Sequence, residues 1–340
     1  MPTYHTSCRA VIHGFRILLL TAVVIPVGST AASAQAASLN ELVASVVGIK
    51  TSINPDGRTA GSLGREREGS GIILDDAGLV LTIGYLMVEA QTAEVRTSTG
   101  RTVPASVVGY DAETGFGLLR AILPLGLRPI AIGRSSEIKE GDAVLVASFG
   151  GAGMVTPADV VSKRQFAGNW EYLLDEAIFT SPPHPEWSGA ALINRAGKLV
   201  GVGSLIVGDA GGAGTRSPGN MFVPVDLLPP ILGDLIANGR ATGPGRPWLG
   251  VAANETHEGL VVERVTPDSP AKAADLQPGD TIVGVNGRKP RDLSDFYRNI
   301  WMQGHAGSVI SLDVRRSNEV RRVDVRSMHR LDHLKLKPAL

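Results

Sequence analysis

Short apolar runs separated by turn-forming residues fill residues 42–225, and this spacing constrains the fold more than any other feature of the chain. Many runs are rich in Val and Ile, whose branched side chains suit a pleated strand. The chain has 41 Gly and 21 Pro among 340 residues, an excess that favours many turns. We therefore predict a mostly β fold, a barrel or a sandwich. The clearest candidate strands are residues 46–49, 71–74, 79–88, 143–149 and 199–207.

Two segments read as hairpin turns between these strands. Residues 75–78 and 194–197 each end in a glycine, which can take the positive φ that tight hairpins require. The period of the apolar residues then changes to that of a helix over residues 226–238. We expect Asp226 to cap this helix and Gly239 to end it.

A Gly/Pro-rich stretch divides the chain into two folded units, as its length also suggests. We expect the first domain at residues 40–240, a linker at 241–246 and a mixed α/β domain at 247–328. Helices of the second domain are predicted at residues 269–275 and 292–302. Residues 329–340 are expected to form an exposed tail, so that His329 and His333, four positions apart, are not taken for a metal site. No metal and no cofactor are expected.

The N-terminus has the pattern of a signal peptide, residues 1–34. Arg9 and Arg16 precede an apolar run of about eleven residues, 17–27, and a small-x-small site follows at 32–34. The alternative, a membrane anchor, requires a run of about 20 apolar residues. We predict export to the periplasm with no membrane attachment after cleavage. Because Cys8 is the only cysteine, the mature chain has neither a disulfide nor a reactive thiol.

The balance of charge argues against nucleic acid as a partner. Lys and Arg number 33 and Asp and Glu number 33, and cleavage after residue 34 removes two arginines, which leaves a net charge of −2. Nucleic-acid binding depends mainly on basic side chains that neutralise phosphates.

An ordered set of segments resembles the HtrA (Deg)-type serine proteases with a C-terminal PDZ domain. The resemblance spans about residues 42–325 and implies two six-stranded β-barrels of the chymotrypsin kind, with the cleft between them, followed by a small α/β PDZ domain. The matching segments are residues 68–75, 81–82, 108–119, 132–144, 188–189 and 220–224.

Counting along these motifs gives the positions of the family's catalytic residues. Ser188 occupies the position of the nucleophile, but Tyr85 stands at the position of the triad His and Gly115 at that of the triad Asp. A serine hydroxyl requires an adjacent base, and neither replacement can act as one. Glu186 replaces the glycine that the family uses in its oxyanion hole, where a carboxylate would repel the developing charge. The resemblance therefore predicts a pseudoprotease.

Other residues could in principle supply a base. His184 is the only histidine between residues 40 and 240, and Lys163 or Lys198 could form a Ser–Lys pair with Ser188. Nothing in the sequence indicates that any of them lies within hydrogen-bond distance of Ser188.

The segment 247–251 resembles the carboxylate-binding loop of an HtrA-type PDZ domain. Such a loop uses backbone N–H groups to hold the C-terminal carboxylate of a peptide, and the adjoining strand pairs with that peptide. A helix stripe at 293 and 296 either lines the peptide groove or serves the core. The expected peptide-binding residues are Trp248, Leu249, Gly250, Val251, Leu293 and Phe296.

Three functions follow from this resemblance. The first is an exported pseudoprotease that binds peptides or protein C-termini through its PDZ domain, in protein quality control. The second is an active serine endopeptidase that uses Ser188 with a non-standard base. The third is a non-catalytic subunit that joins active HtrA-type proteases and regulates them. The resemblance implies a homotrimer, or a mixed oligomer with active homologues.

Overall fold

The computed structural model describes residues 38–212 and 214–336. The predicted signal peptide and Cys8 lie outside these residues. Within the described ranges no helix is long and apolar enough to cross a membrane. The fold is mostly β, as predicted, with two closed barrels and a separate five-stranded sheet.

Six antiparallel strands close into the first barrel in the order β1-β2-β3-β6-β5-β4. The predicted turn at 75–78 joins β2 to β3, and Gly78 takes a φ of +78° there. The strand expected at 79–88 ends early, because a 3-10 turn begins at Gly84. The strands are β1 (Val46–Ile53), β2 (Glu66–Ile73), β3 (Leu79–Ile83), β4 (Ala90–Arg96), β5 (Thr102–Tyr110) and β6 (Phe116–Ala121).

The second barrel repeats this architecture in the order β10-β11-β12-β9-β8-β7. Its longest hairpin is formed by β8 and β9, whose pairing ends at Gly168 and Tyr172. The predicted turn at 194–197 joins β10 to β11. The strands are β7 (Ala143–Ala147), β8 (Val155–Gly168), β9 (Tyr172–Ser181), β10 (Ala191–Ile193), β11 (Leu199–Val207) and β12 (Gly219–Pro224).

One apolar core joins the two barrels. Ile72 and Phe116 of the first barrel belong to the same buried cluster as Phe179 and Val202 of the second. Burial of this continuous apolar surface is the main force that holds the barrels together. The cleft between them therefore has walls that are fixed by packing.

Three helices belong to this part of the chain: α1 (Leu39–Ala44), α2 (Ala60–Leu63) and α3 (Pro229–Asn238). The predicted helix at 226–238 is confirmed over most of its length, and Gly239 ends it in the left-handed conformation. The expected cap was wrong. The Asp226 carboxylate instead accepts hydrogen bonds from the N–H groups of Ser135 and Ser136, which begin a 3-10 turn in a distant loop.

The second domain is a five-stranded antiparallel sheet in sequence order. Its two predicted helices are confirmed, and the side chains of Ser269 and Asp292 cap them. The elements are β13 (Val251–Thr256), β14 (Gly259–Val265), α4 (Pro270–Ala273), β15 (Thr281–Val285), α5 (Leu293–Trp301), β16 (Val309–Arg316) and β17 (Glu319–Arg326).

The segment 329–334 is not an exposed tail, since most of its residues are buried or half-buried. It forms a short helix, α6 (Arg330–His333), in which His333 is only 6% exposed. The imidazole ring lies 4.8 Å from the ring of Trp248, centre to centre. The expectation of an exposed His333 was therefore wrong. The contact between its imidazole ring and the Trp248 indole ring holds α6 against the domain.

A buried ion pair fixes the α4–β15 turn to β16. Asp280 is 1% exposed and accepts two hydrogen bonds from the Arg316 guanidinium, at 2.6 and 2.7 Å, and one from Gln277 N–H. Burial raises the pKa of the Asp280 carboxyl, but these donors outweigh burial and hold the pKa below its ordinary value.

We predict that Asp280→Asn lowers the free energy of unfolding by about 2 kcal/mol at pH 7, because the Arg316 guanidinium loses its buried carboxylate partner and keeps only the exposed one, Asp275. Since the folded-state pKa of Asp280 is lowered, its contribution is complete above the unfolded pKa of about 4 and is lost as the pH falls below it. Urea unfolding at pH 7 and pH 3 measures both effects.

The matched control is Asp313→Asn, which removes an exposed pair with Arg322 on the same sheet and should cost less than about 1 kcal/mol. Equal losses in the two variants would contradict a special role for Asp280.

Candidate functional site

Ser188 lies in the loop between β9 and β10, at the junction of the two barrels. Its carbonyl accepts a hydrogen bond from the Ser70 N–H of β2, at 2.8 Å. The next residue, Gly189, has a φ of +74°, and a Cβ there would collide with the Ser70 carbonyl. On the facing strand β2, a Cβ at Gly69 would lie 2.8 Å from the Ser188 carbonyl oxygen. The Gly-Ser-Gly and Ser-Gly motifs therefore serve the close approach of two backbones.

The Tyr85 side chain crosses the cleft and reaches Ser188. Its hydroxyl lies 2.9 Å from Ser188 Oγ and donates to the Ser204 carbonyl of β11, also at 2.9 Å. Burial raises the pKa of Tyr85 to about 12, so the phenol is neutral at physiological pH. The Ser188 hydroxyl consequently meets a neutral phenol and not a base.

Gly115 is hydrogen-bonded to the residue that precedes Tyr85 in the chain. Its carbonyl accepts a hydrogen bond from the Gly84 N–H at 2.7 Å. Gly115 has a φ of +81°, and a Cβ there would lie 3.3 Å from the Tyr172 hydroxyl, which itself donates to the Thr114 carbonyl at 2.6 Å. The space beside Gly115 is thus bordered by an aromatic side chain from the second barrel.

The structure brings Tyr85 and Ser188 into hydrogen-bond contact, whereas Gly115 is hydrogen-bonded to Gly84, the residue before Tyr85. Glu186 is exposed and lies two residues before Ser188 in the same loop. The carbonyl of Trp187 accepts the Ala190 N–H at 3.1 Å and faces Gly203 so closely that a Cβ there would collide with it. The loop that carries Ser188 is therefore held by its own backbone contacts.

The alternative bases are engaged elsewhere. The ring nitrogens of His184 bond to the hydroxyls of Thr156, at 2.7 Å, and Ser148, at 2.9 Å. Burial lowers the pKa of this imidazole. The Lys163 ammonium donates to two backbone carbonyls and pairs with Glu176 at 2.8 Å, and Lys198 lies exposed in the β10–β11 turn. None of these contacts involves Ser188.

The predicted carboxylate-binding loop holds a carboxylate that belongs to the chain itself. Both oxygens of Glu171 accept hydrogen bonds from this loop: Leu249 N–H at 2.9 Å, Gly250 N–H at 2.6 Å and Val251 N–H at 2.9 Å. Glu171 lies at the tip of the β8–β9 hairpin and has a φ of +57°. Trp248 flanks the loop and is 7% exposed.

The helix stripe of the second domain faces the same hairpin. Leu293 and Phe296 of α5 are buried in one cluster with Leu173 of β9, Leu249 and Val251. The two stripe residues thus serve a core that includes a side chain of the second barrel. The groove expected for a peptide is filled on this side by the hairpin.

Sequence reasoning missed Glu171. The available signal was the hairpin turn between two apolar runs at 172–181 and 155–168, with an acidic residue at its tip. Nothing local indicates that this acidic residue meets a loop nearly 80 positions further along the chain.

No binding site for a metal was found among the residues that the structure describes, in which no three His, Cys, Asp or Glu side chains cluster suitably.

Comparisons with known proteins agree with this architecture. Residues 69–202 match the family model "Trypsin-like peptidase domain", and residues 247–326 match the family model "PDZ domain". A solved structure, the "HtrA-type protease AlgW with decapeptide", superposes with a TM-score of 0.52 at 23% identity, covering 88% of this chain and 99% of that one. This likeness bears on the fold alone.

Two curated relatives are more similar in sequence. A "Probable periplasmic serine endoprotease DegP-like" of Pseudomonas putida (strain W619) is 30% identical over 287 residues, 77% of this chain and 56% of the relative. "Serine protease PepD" of Mycobacterium tuberculosis (strain ATCC 25618 / H37Rv) is 33% identical over 250 residues, 66% of this chain and 53% of the relative. The chain spans about half the length of these relatives. With both domains in this order, the chain belongs to the HtrA-type proteases that carry a C-terminal PDZ domain.

Proposed function

We propose that this chain is an exported, periplasmic HtrA-type pseudoprotease that binds peptides or protein C-termini through its PDZ domain, in protein quality control. The observation that carries the proposal is the 2.9 Å hydrogen bond between the Tyr85 hydroxyl and Ser188 Oγ. It replaces the contact with a base that a nucleophilic serine requires.

The remaining polar groups of the cleft support the same function. With Gly115 in place of a carboxylate, nothing at that position could orient or stabilise an imidazolium. Loss of triad members costs about 10⁶ in rate in a serine protease, and the residual rate depends on an oxyanion hole. Here Glu186 stands at the oxyanion glycine, so the residual rate is lowered further.

The carboxylate-binding loop of the PDZ domain supports peptide binding as the function of this chain. Its three N–H groups already hold a carboxylate at hydrogen-bond distance, and a peptide C-terminus offers the same chemical group. Periplasmic location is supported by the targeting pattern of residues 1–34 and by relatives that are named periplasmic.

We predict that residues 35–340 hydrolyse casein at the background rate, and that Ser188→Ala leaves this rate unchanged, because no base activates the serine hydroxyl. Release of acid-soluble peptides measures the rate, and a fluorophosphonate probe measures the reactivity of Ser188 directly. If the probe labels the wild type but not Ser188→Ala, the proposal is overturned. The alternative function, an active serine endopeptidase with a non-standard base, would then be supported.

We also predict that Tyr85→His combined with Gly115→Asp fails to restore proteolysis. Position 115 has a φ of +81°, which an aspartate adopts only with strain, and its Cβ would meet the Tyr172 hydroxyl. Glu186 also remains at the oxyanion position. The assay is casein hydrolysis by the double variant.

The control for this experiment is the same double variant with Ser188→Ala. Turnover in the double variant that the added Ser188→Ala abolishes would show that the rest of the catalytic machinery is intact.

A further inference from the structure

We propose that the PDZ domain is occupied by its own chain: the β8–β9 hairpin acts as a built-in ligand, and an outside C-terminus binds only when Glu171 leaves the loop. This inference rests on the proposed function, since it concerns the regulation of the same peptide site. The outside ligand that it admits is a peptide with an apolar last residue and a free carboxylate.

The contacts of Glu171 use the donors that a peptide C-terminus would require. Three successive backbone N–H groups, those of Leu249, Gly250 and Val251, converge on its two oxygens at 2.6 to 2.9 Å. Gly250 takes a φ of +85°, which allows these N–H groups to converge. Because each of these N–H groups already donates a hydrogen bond to Glu171, a second carboxylate would find no free donor among them.

The hairpin also supplies the apolar part of a ligand. Leu173 follows Glu171 by two residues and is buried with Leu293 and Phe296, the residues expected to line the groove. A carboxylate bound to the loop with an apolar side chain beside it is the combination by which such a domain recognises a C-terminus. The hairpin therefore resembles a ligand in two independent respects.

Contacts around the tip hold the hairpin in this position. The Tyr297 hydroxyl of α5 accepts from Glu171 N–H at 3.1 Å and donates to the Gly168 carbonyl at 2.7 Å. Arg330 donates to the Trp170 carbonyl at 3.1 Å. Both donors come from the PDZ side, so the tip is bound through its backbone as well as its side chain.

Covalent attachment gives the hairpin a large advantage over a free peptide. A tethered ligand acts at an effective concentration of about 1 mM or more, whereas a free peptide in the cell competes at its actual concentration. The apparent affinity of the PDZ domain equals its intrinsic affinity multiplied by the fraction of molecules in which the loop is open. We expect the wild type to bind C-terminal peptides about 10- to 100-fold more weakly than a variant without the carboxylate.

The test uses the full mature chain and the variant Glu171→Gly. Glycine tolerates the φ of +57° at this position, so the turn is retained while the carboxylate is removed. Glu171→Gln is a second variant that keeps the shape of the side chain but not its charge. Glu176→Gln is the matched control, because Glu176 lies in the same hairpin, on β9, but pairs with Lys163 in the barrel.

Amide hydrogen exchange measures whether Glu171 is bound to the loop, and it needs no added peptide. The amides of Leu249, Gly250 and Val251 should be protected in the wild type and in Glu176→Gln, and should exchange at least tenfold faster in Glu171→Gly. Unchanged protection in Glu171→Gly would overturn the proposal.

Peptide binding measures the competition between Glu171 and an added C-terminus for the loop N–H groups. The probes are fluorescein-labelled ten-residue peptides that end in Leu, Val, Ile or Phe with a free carboxylate, and the same peptides with a C-terminal amide. The expected result is a 10- to 100-fold tighter Kd in Glu171→Gly, a smaller gain in Glu171→Gln, no gain in Glu176→Gln and no gain for the amides.

The two failures are distinguishable. If wild type and Glu171→Gly bind the free-carboxylate peptides equally well, the built-in ligand is refuted while peptide binding stands. If the loop amides become exposed in Glu171→Gly and no peptide binds, the proposed peptide-binding function is overturned although the hairpin does occupy the loop.

Discussion

A carboxylate that leaves water must find hydrogen-bond donors, and this requirement at Glu171 organises the contact between the PDZ domain and the second barrel. Burial raises the pKa of this carboxyl, while the three loop N–H groups favour its ionised form. The donors can converge only if the hairpin tip and the loop are held in one arrangement. The neighbouring Tyr172 then extends from the same tip to the loop at Gly115, so a single hairpin contacts both the PDZ loop and the loop that carries Gly115.

In the cleft, neutral polar groups form hydrogen bonds with one another. Tyr85 bridges the Ser188 hydroxyl and the Ser204 carbonyl, so that this carbonyl has a donor although it is partly buried. His184 is held by two hydroxyls in the same way. These hydrogen bonds stabilise the folded chain, because each polar group that leaves water has a partner.

Most of the fold could be predicted because it depends on local patterns and on ordered motifs. The hairpin turns at residues 75–78 and 194–197 and the helix α5 follow from glycine positions and apolar periodicity. Other features could not be predicted, because they arise from contacts between distant segments. Asp226 binds a loop 90 residues away instead of capping its own helix, and His333 packs on Trp248. Glu171 belongs to this second group, and only the folded chain reveals its role.

The backbone conformation at Gly115 limits which substitutions this loop can accept. A loop with a φ of +81° at residue 115, packed against Tyr172, offers no site at which an aspartate fits without rearrangement of its surroundings. An aspartate there would therefore need accompanying substitutions at its neighbours. Under the proposed function, a single substitution at this position would not produce an enzyme, and selection would act on this chain through what it binds.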